Sequence, residues 1–147
     1  KANPEAYARE MRVSEPYSTD LTQGNWREAA KGFLDRWGGS VRFNDMPEVQ
    51  QNYMIKTIPL ILENNHSVVQ DCEGRVTIES IGEILAPCLL MEGAKSPDIV
   101  RILNDLIESK LSNVTRKVFQ TAGHMGPINH APDVSKVVEN FLFGDEL

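Results

Sequence analysis

The sequence has few cysteines, no long apolar run and no cluster of positive charge, and each absence excludes something. The two cysteines, Cys72 and Cys88, belong to no C-x-x-C pair, so zinc-site spacing is missing; two free buried thiols are expected, with a single disulfide as the alternative. The longest apolar stretch, 55–62, is interrupted by Lys56, Thr57 and Pro59. It falls far short of the roughly 18 residues of a membrane span. The 15 basic residues are scattered and the net charge is −6, whereas a nucleic-acid surface needs a clustered positive patch. No signal-peptide pattern opens the chain. The closing "GDEL" matches a retention signal only in its last three letters, so a cytoplasmic protein is expected. The first residue is Lys1, and "KANPEAYARE" begins at what reads as a helix entrance; the expectation is a processed or trimmed segment.

What is present is ordinary globular composition, 41% hydrophobic and 24% charged over 147 residues, enough for one domain or a piece of a larger one. Residues 1–83 read as helices and loops. Asn3 and Pro4 form a helix start, a capping side chain followed by a residue whose missing N–H costs nothing in the first turn. "PEAYAREMR" is a short helix, and "VSEPYSTDLTQG" reads as a loop by its Ser, Thr, Pro and Gly content. Asn25 is expected to cap "WREAAKGFLDRW", whose Trp26, Ala29, Ala30, Phe33, Leu34 and Trp37 recur at steps of three and four, one face of a helix. Gly38 and Gly39 end it. Asp45 can cap a helix from Met46 to about Ile58, and Pro59 kinks or restarts it. Thr77 can cap a short turn, "IESIGEI".

The pattern then changes. "APCLLMEG" is a short apolar run that fits a strand buried on both sides. "SPDIVRILNDLIESKL" follows, with Ser96 as cap, Pro97 in the first turn and a stripe of Ile99, Ile102, Leu103, Leu106, Ile107 and Leu111. "SNVTRKVFQ" is a second strand, with Val114 and Val118 on one side of the pleat, and "PDVSKVVENFL" is a final helix. Strand, helix, strand, helix predicts parallel α/β architecture. Two strands do not make a stable parallel sheet covered on both faces, so completion by strands outside this chain, or by another copy, is expected. A self-sufficient small domain is a further reading.

Ligands of open α/β sheets bind beyond the carboxyl ends of the strands. In "TAGHMGPINH" that places His124 where a functional residue belongs, between glycines that permit a sharp turn and close approach. A histidine there can take and return a proton near neutral pH. A loop histidine that only hydrogen-bonds its own turn has the same signature.

Residues 84–143 resemble the C-terminal end of an α/β-hydrolase-fold enzyme. The likeness is carried by "ILAPCLLMEGAKSP", the helix after it, and "TAGHMGPINHAPDVSKVVENFL": a penultimate strand of the form I-x-x-P-x-L-x-x-x-G, a helix, a last strand ending in G-H, and a closing helix ending in F-L. The resemblance implies His124 as triad histidine, and residues 1–83 as a helical cap, of which "FLDRWGG" is the most family-like stretch. The leading expectation is a small, fairly apolar ester-like substrate, with no cofactor and no metal; the motif itself does not separate ester from C–C, epoxide or halide substrates, since the histidine serves them all. The resemblance further implies that the nucleophile and most of the sheet belong to the N-terminal half of the same fold, upstream of Lys1.

Two departures accompany the likeness. The nucleophile elbow G-x-S-x-G is absent from these residues; Ser40 in "WGGSVRF" lacks the following glycine and reads as a loop residue. The acid that should hold the second ring nitrogen of His124 is expected near "GAKSP", where Ser96 stands instead. Asp98 is the candidate acid, although a carboxylate in a first helical turn also suits the helix dipole; some members of the family place the acid after the strand before the cap instead, which here would lie upstream of Lys1. Met125 and Trp37 are candidate substrate contacts, His130 fits no metal-ligand spacing, and His66 reads as a surface or packing residue. Non-catalytic binding or receptor proteins also use this fold, so a binding protein is the alternative function.

Overall fold

The computed structural model describes residues 3–39, 41–68 and 77–144, the side chains of 65–68 excepted. It is mixed α/β and mostly helical, with a two-stranded parallel sheet. The chain divides into two compact units, Lys1–Thr77 and Ile78–Leu147.

The first unit is helical. Helix α1 (Pro4–Gln23) starts as the sequence suggests, with the Asn3 side chain accepting from the Ala6 N–H at 3.0 Å. It does not stop at residue 12. The stretch expected to be a loop is helical through Pro16 and ends at Gly24, which takes the left-handed conformation at φ 80°. Pro16 deletes one intrahelical hydrogen bond, but packing on α2 (Trp26–Trp37) outweighs that loss. Leu21 is 2% exposed, and Tyr17 meets Phe33 edge-on at 6.0 Å. Glu10 is paired with Arg36 and accepts from the Ser14 hydroxyl. A Cβ at Gly32 would lie 2.8 Å from the Tyr17 Cβ, so the glycine lets the two helices approach.

Asn25 stands at the N-terminus of α2, but its side chain donates to Asp20 and Gln23 instead of capping. A 3-10 turn (Phe43–Asp45) follows, and α3 (Glu48–Thr57) begins after Pro47, not at Met46. Pro59 separates it from α4 (Leu60–Val68). The core gathers Leu21, Ala29, Ala30, Phe43 and Ile58.

The second unit opens with α5 (Ile78–Ile81), which packs on α6 (Asp98–Glu108); the sequence had assigned α5's residues to the first segment. Strand β1 (Cys88–Gly93) pairs in parallel with β2 (Val114–Phe119), from Cys88 opposite Val114 to Gly93 opposite Phe119. Helix α6 crosses between them. A short α7 (Gly126–Asn129), not foreseen, leads into α8 (Ala131–Phe143). Of the strand residues only Glu92 is buried; Cys88 to Met91 are half-buried, so β1 is less covered than its apolar sequence predicts. Cys88 is a free thiol; Cys72, Ser40 and the His66 side chain lie outside the described residues. No described helix is long and apolar enough to cross a membrane.

Candidate active site

The parallel register brings Gly93 and Phe119 side by side, so the loops after both strands leave from one edge of the sheet. Backbone hydrogen bonds stitch those loops together. Ala94 N–H donates to the Phe119 carbonyl and Lys95 N–H to the Ala122 carbonyl, both at 2.9 Å, and Ser96 N–H returns to the Gly93 carbonyl at 2.9 Å. Gly93 makes this possible. A Cβ there would overlap the carbonyl oxygen of Ala122 and lie 2.5 Å from that of Gly123, so any side chain would push the loops apart. Ala122 beneath them is 0% exposed.

Between the loops lies a cavity of about 230 Å³. His124 lines it together with Gly93, Ser96, Gly123 and Gly126, and its walls include Met91 and Phe119. The histidine itself is exposed on its turn and lines the cavity. That is a workable posture for a group that exchanges protons with a bound molecule.

Asp98, Met125 and His130 of the second unit do not line this cavity. Asp98 is exposed in the first turn of α6 and does not line the cavity. Met125 is half-buried at the N-terminus of α7, also outside the lining. His130 joins α7 to α8, its N–H bonded to the Gly126 carbonyl at 2.8 Å. Trp37 lines a separate cavity of about 580 Å³ in the first unit, with Tyr7, Glu10, Ser14, Leu21 and Ile61. Arg36 lies 5.7 Å over its ring. Among the described residues no group of three or more His, Cys, Asp and Glu could hold a metal.

Ser96 departs from its expected role. Pro97, not Ser96, occupies the N-cap of α6. The Ser96 hydroxyl is buried with no hydrogen-bond partner among the described residues.

The sequence reading missed an ionic cluster that borders the cavity. Glu92 lines the cavity, and its carboxylate accepts from Arg116 Nη2 at 2.8 Å and from Asn104 Nδ2 at 2.9 Å. Arg116 Nη1 also donates to Asp105 at 2.6 Å and Glu108 at 2.7 Å. The side chains of Arg116 and Glu92 are only 16% and 6% exposed. The Glu108 and Asp105 carboxylates, with a smaller contribution from Glu92, raise the Arg116 guanidinium's pKa above its ordinary value, against the opposing effect of burial. One glutamate in "CLLMEG" and one arginine in "VTRKVF" were the available signal. Their pairing follows only from register, since Leu90 opposes Arg116 and Glu92 opposes Val118, which makes the two charges diagonal neighbours on one face. No protein-family model, curated protein or solved structure matches this chain.

Proposed function

We propose that the second unit is the C-terminal part of an α/β-hydrolase-fold hydrolase acting on a small, fairly apolar ester, with His124 as its general base. Residues 1–83 serve this reading as the helical cap, and the nucleophile comes from polypeptide outside these 147 residues. The observation that carries it is the posture of His124: a glycine-flanked histidine at the carboxyl ends of two parallel strands, lining a cavity walled by Met91 and Phe119. Half-buried β1 residues further support a sheet that other strands complete. In this reading His124 takes the nucleophile's proton as the new bond to the acyl carbon forms, then gives it to the departing alcohol. Water repeats the sequence to release the acid.

A second reading, a binding protein of the same fold, is favoured by one observation. Asp98 does not line the cavity, and Glu92 is already engaged by Arg116 and Asn104. One experiment separates the two. The complete reading frame is assayed on short-chain p-nitrophenyl esters, and His124→Ala is compared with the parent. Catalysis predicts a loss of kcat/KM on the order of 10³-fold or more, with circular dichroism unchanged. Full activity of His124→Ala refutes the assignment. A parent inert to all esters but stabilised by an ester analogue supports the binding protein.

A further inference from the structure

An ion pair inside an α/β layer is an unusual choice. The helix-facing side of a strand is ordinarily apolar, and burying a carboxylate and a guanidinium carries a desolvation penalty that pairing only offsets. Here the pair is extended by further bonds, although Arg116 Nε is buried without a partner among the described residues. The guanidinium of β2 reaches β1 through Glu92 and α6 through Asp105 and Glu108, and Asn104 of α6 returns to the second oxygen of Glu92. Three elements are thus fixed to one another around a single side chain.

The position of that fixing matters. Glu92 is adjacent to Gly93, the residue over which the Ala122 and Gly123 carbonyls close. His124 is the next residue. From the guanidinium to the histidine the path runs through one ion pair, one peptide unit and one backbone contact, and Glu92 and His124 line the same cavity.

We propose that the Glu92–Arg116 pair is a brace that positions His124 at the mouth of the cavity, an inference that rests on His124 being the proton carrier. The two are positioning residues, acting through the strand end and the stitched loops. Glu92 orients the end of β1, and Arg116 holds Glu92 against α6. A shift of about 1 Å in such a catalytic group lowers turnover by up to about 100-fold. A brace therefore changes kcat before it changes KM.

The test uses the complete protein with Glu92→Gln and Arg116→Lys, each of which keeps size and some hydrogen bonding. Three quantities are read: thermal stability, kcat against KM on the ester that reports on His124, and the His124 ring resonances in ¹H–¹⁵N spectra, assigned by their absence in His124→Ala. The expected result is a folded protein with kcat down about 10- to 100-fold, KM within about twofold, and His124 ring resonances shifted from their positions in the parent. Unmoved His124 resonances in both folded variants overturn the brace, whatever kcat does. Moved resonances with unchanged kcat also overturn it, because the position then has no consequence. Full activity of His124→Ala fails the reading of the site instead, and the ring resonances still report separately whether the pair holds the loop.

Discussion

Replacing Gly93 by alanine isolates the feature on which the cavity depends. The added methyl would overlap the Ala122 carbonyl oxygen and lie 2.5 Å from that of Gly123, where ordinary contact begins at 3.4 Å. Both obstacles are backbone, so no side-chain rotation relieves them; the loops must separate by about 1 Å. That separation strains two hydrogen bonds now at 2.9 Å, Ala94 to Phe119 and Lys95 to Ala122, each worth about 1 kcal/mol net. The overpacking itself costs about 1–3 kcal/mol. Stiffening the unfolded chain returns about 0.4–1 kcal/mol. The net is a destabilisation of about 2 kcal/mol, or a Tm lower by about 4–8 °C for a chain of this size. Gly126→Ala is the internal control. Gly126 is also buried and lines the same cavity, but its added Cβ meets only the Ala122 Cβ, at 3.4 Å, so its Tm should change by less than about 2 °C. Thermal unfolding followed by circular dichroism checks both. A Gly93→Ala protein melting with the parent, or the two variants falling equally, would refute the close-approach reasoning.

Two further predictions concern buried polar groups. Ser96→Ala removes a buried hydroxyl that has no partner among the described residues; stability should hold or rise by about 1 kcal/mol, and a urea midpoint clearly below the parent's would contradict this. Arg116→Met strands Glu92 with Asn104 alone and should cost about 3 kcal/mol. The pH sign follows from the direction of the shift. A group whose pKa rises on folding contributes its full stability below the unfolded value and loses it only as pH climbs through the higher folded value, and for Arg116 both lie far above neutrality. The Tm difference between Arg116→Met and the parent should therefore be the same near pH 6 and near pH 9. A difference that vanishes by about pH 9 would show that the guanidinium is not the group responsible.

How far the sequence could be read depended on whether the deciding interaction was local. Helices α2, α6 and α8 and both strands follow from apolar spacing, and parallel pairing follows from the crossover helix between the strands. Helix α1 was cut short because Pro16 and its polar neighbours mimic a loop; what carries the helix through them is Tyr17 and Leu21 against α2, a contact between segments. Phe43 is 1% exposed, yet it sits among residues that read as a linker and cap, so no periodicity marked it as core. The position of His124 was legible because the end of a strand is a local fact. The loss of Asp98 and Met125 from the cavity lining was not, because it depends on how two loops close over one glycine.

The distribution of burial in the second unit bears on what holds the site. The residues of the second unit that are most withdrawn from solvent, Glu92, Ala122 and Gly126, all line the cavity, while the apolar strand residues Leu89 and Leu90 remain half-buried. Burial is therefore concentrated where the loops meet and is thinner along the strands. The interactions that hold the loops are short-range: three backbone hydrogen bonds, a glycine without a side chain, and an ionic fork from the paired strand. None of them needs a third strand. On the hydrolase reading, the strands that complete the sheet would cover its half-exposed apolar surface, a nonspecific hydrophobic contribution. On the same reading the placement of His124, which proton transfer would require to within about 0.5 Å, would be set by directional bonds inside this unit. Stability and precision would then have separate sources, and a substitution in the stitched loops should impair the chemistry more than a substitution of equal energetic cost along the strands.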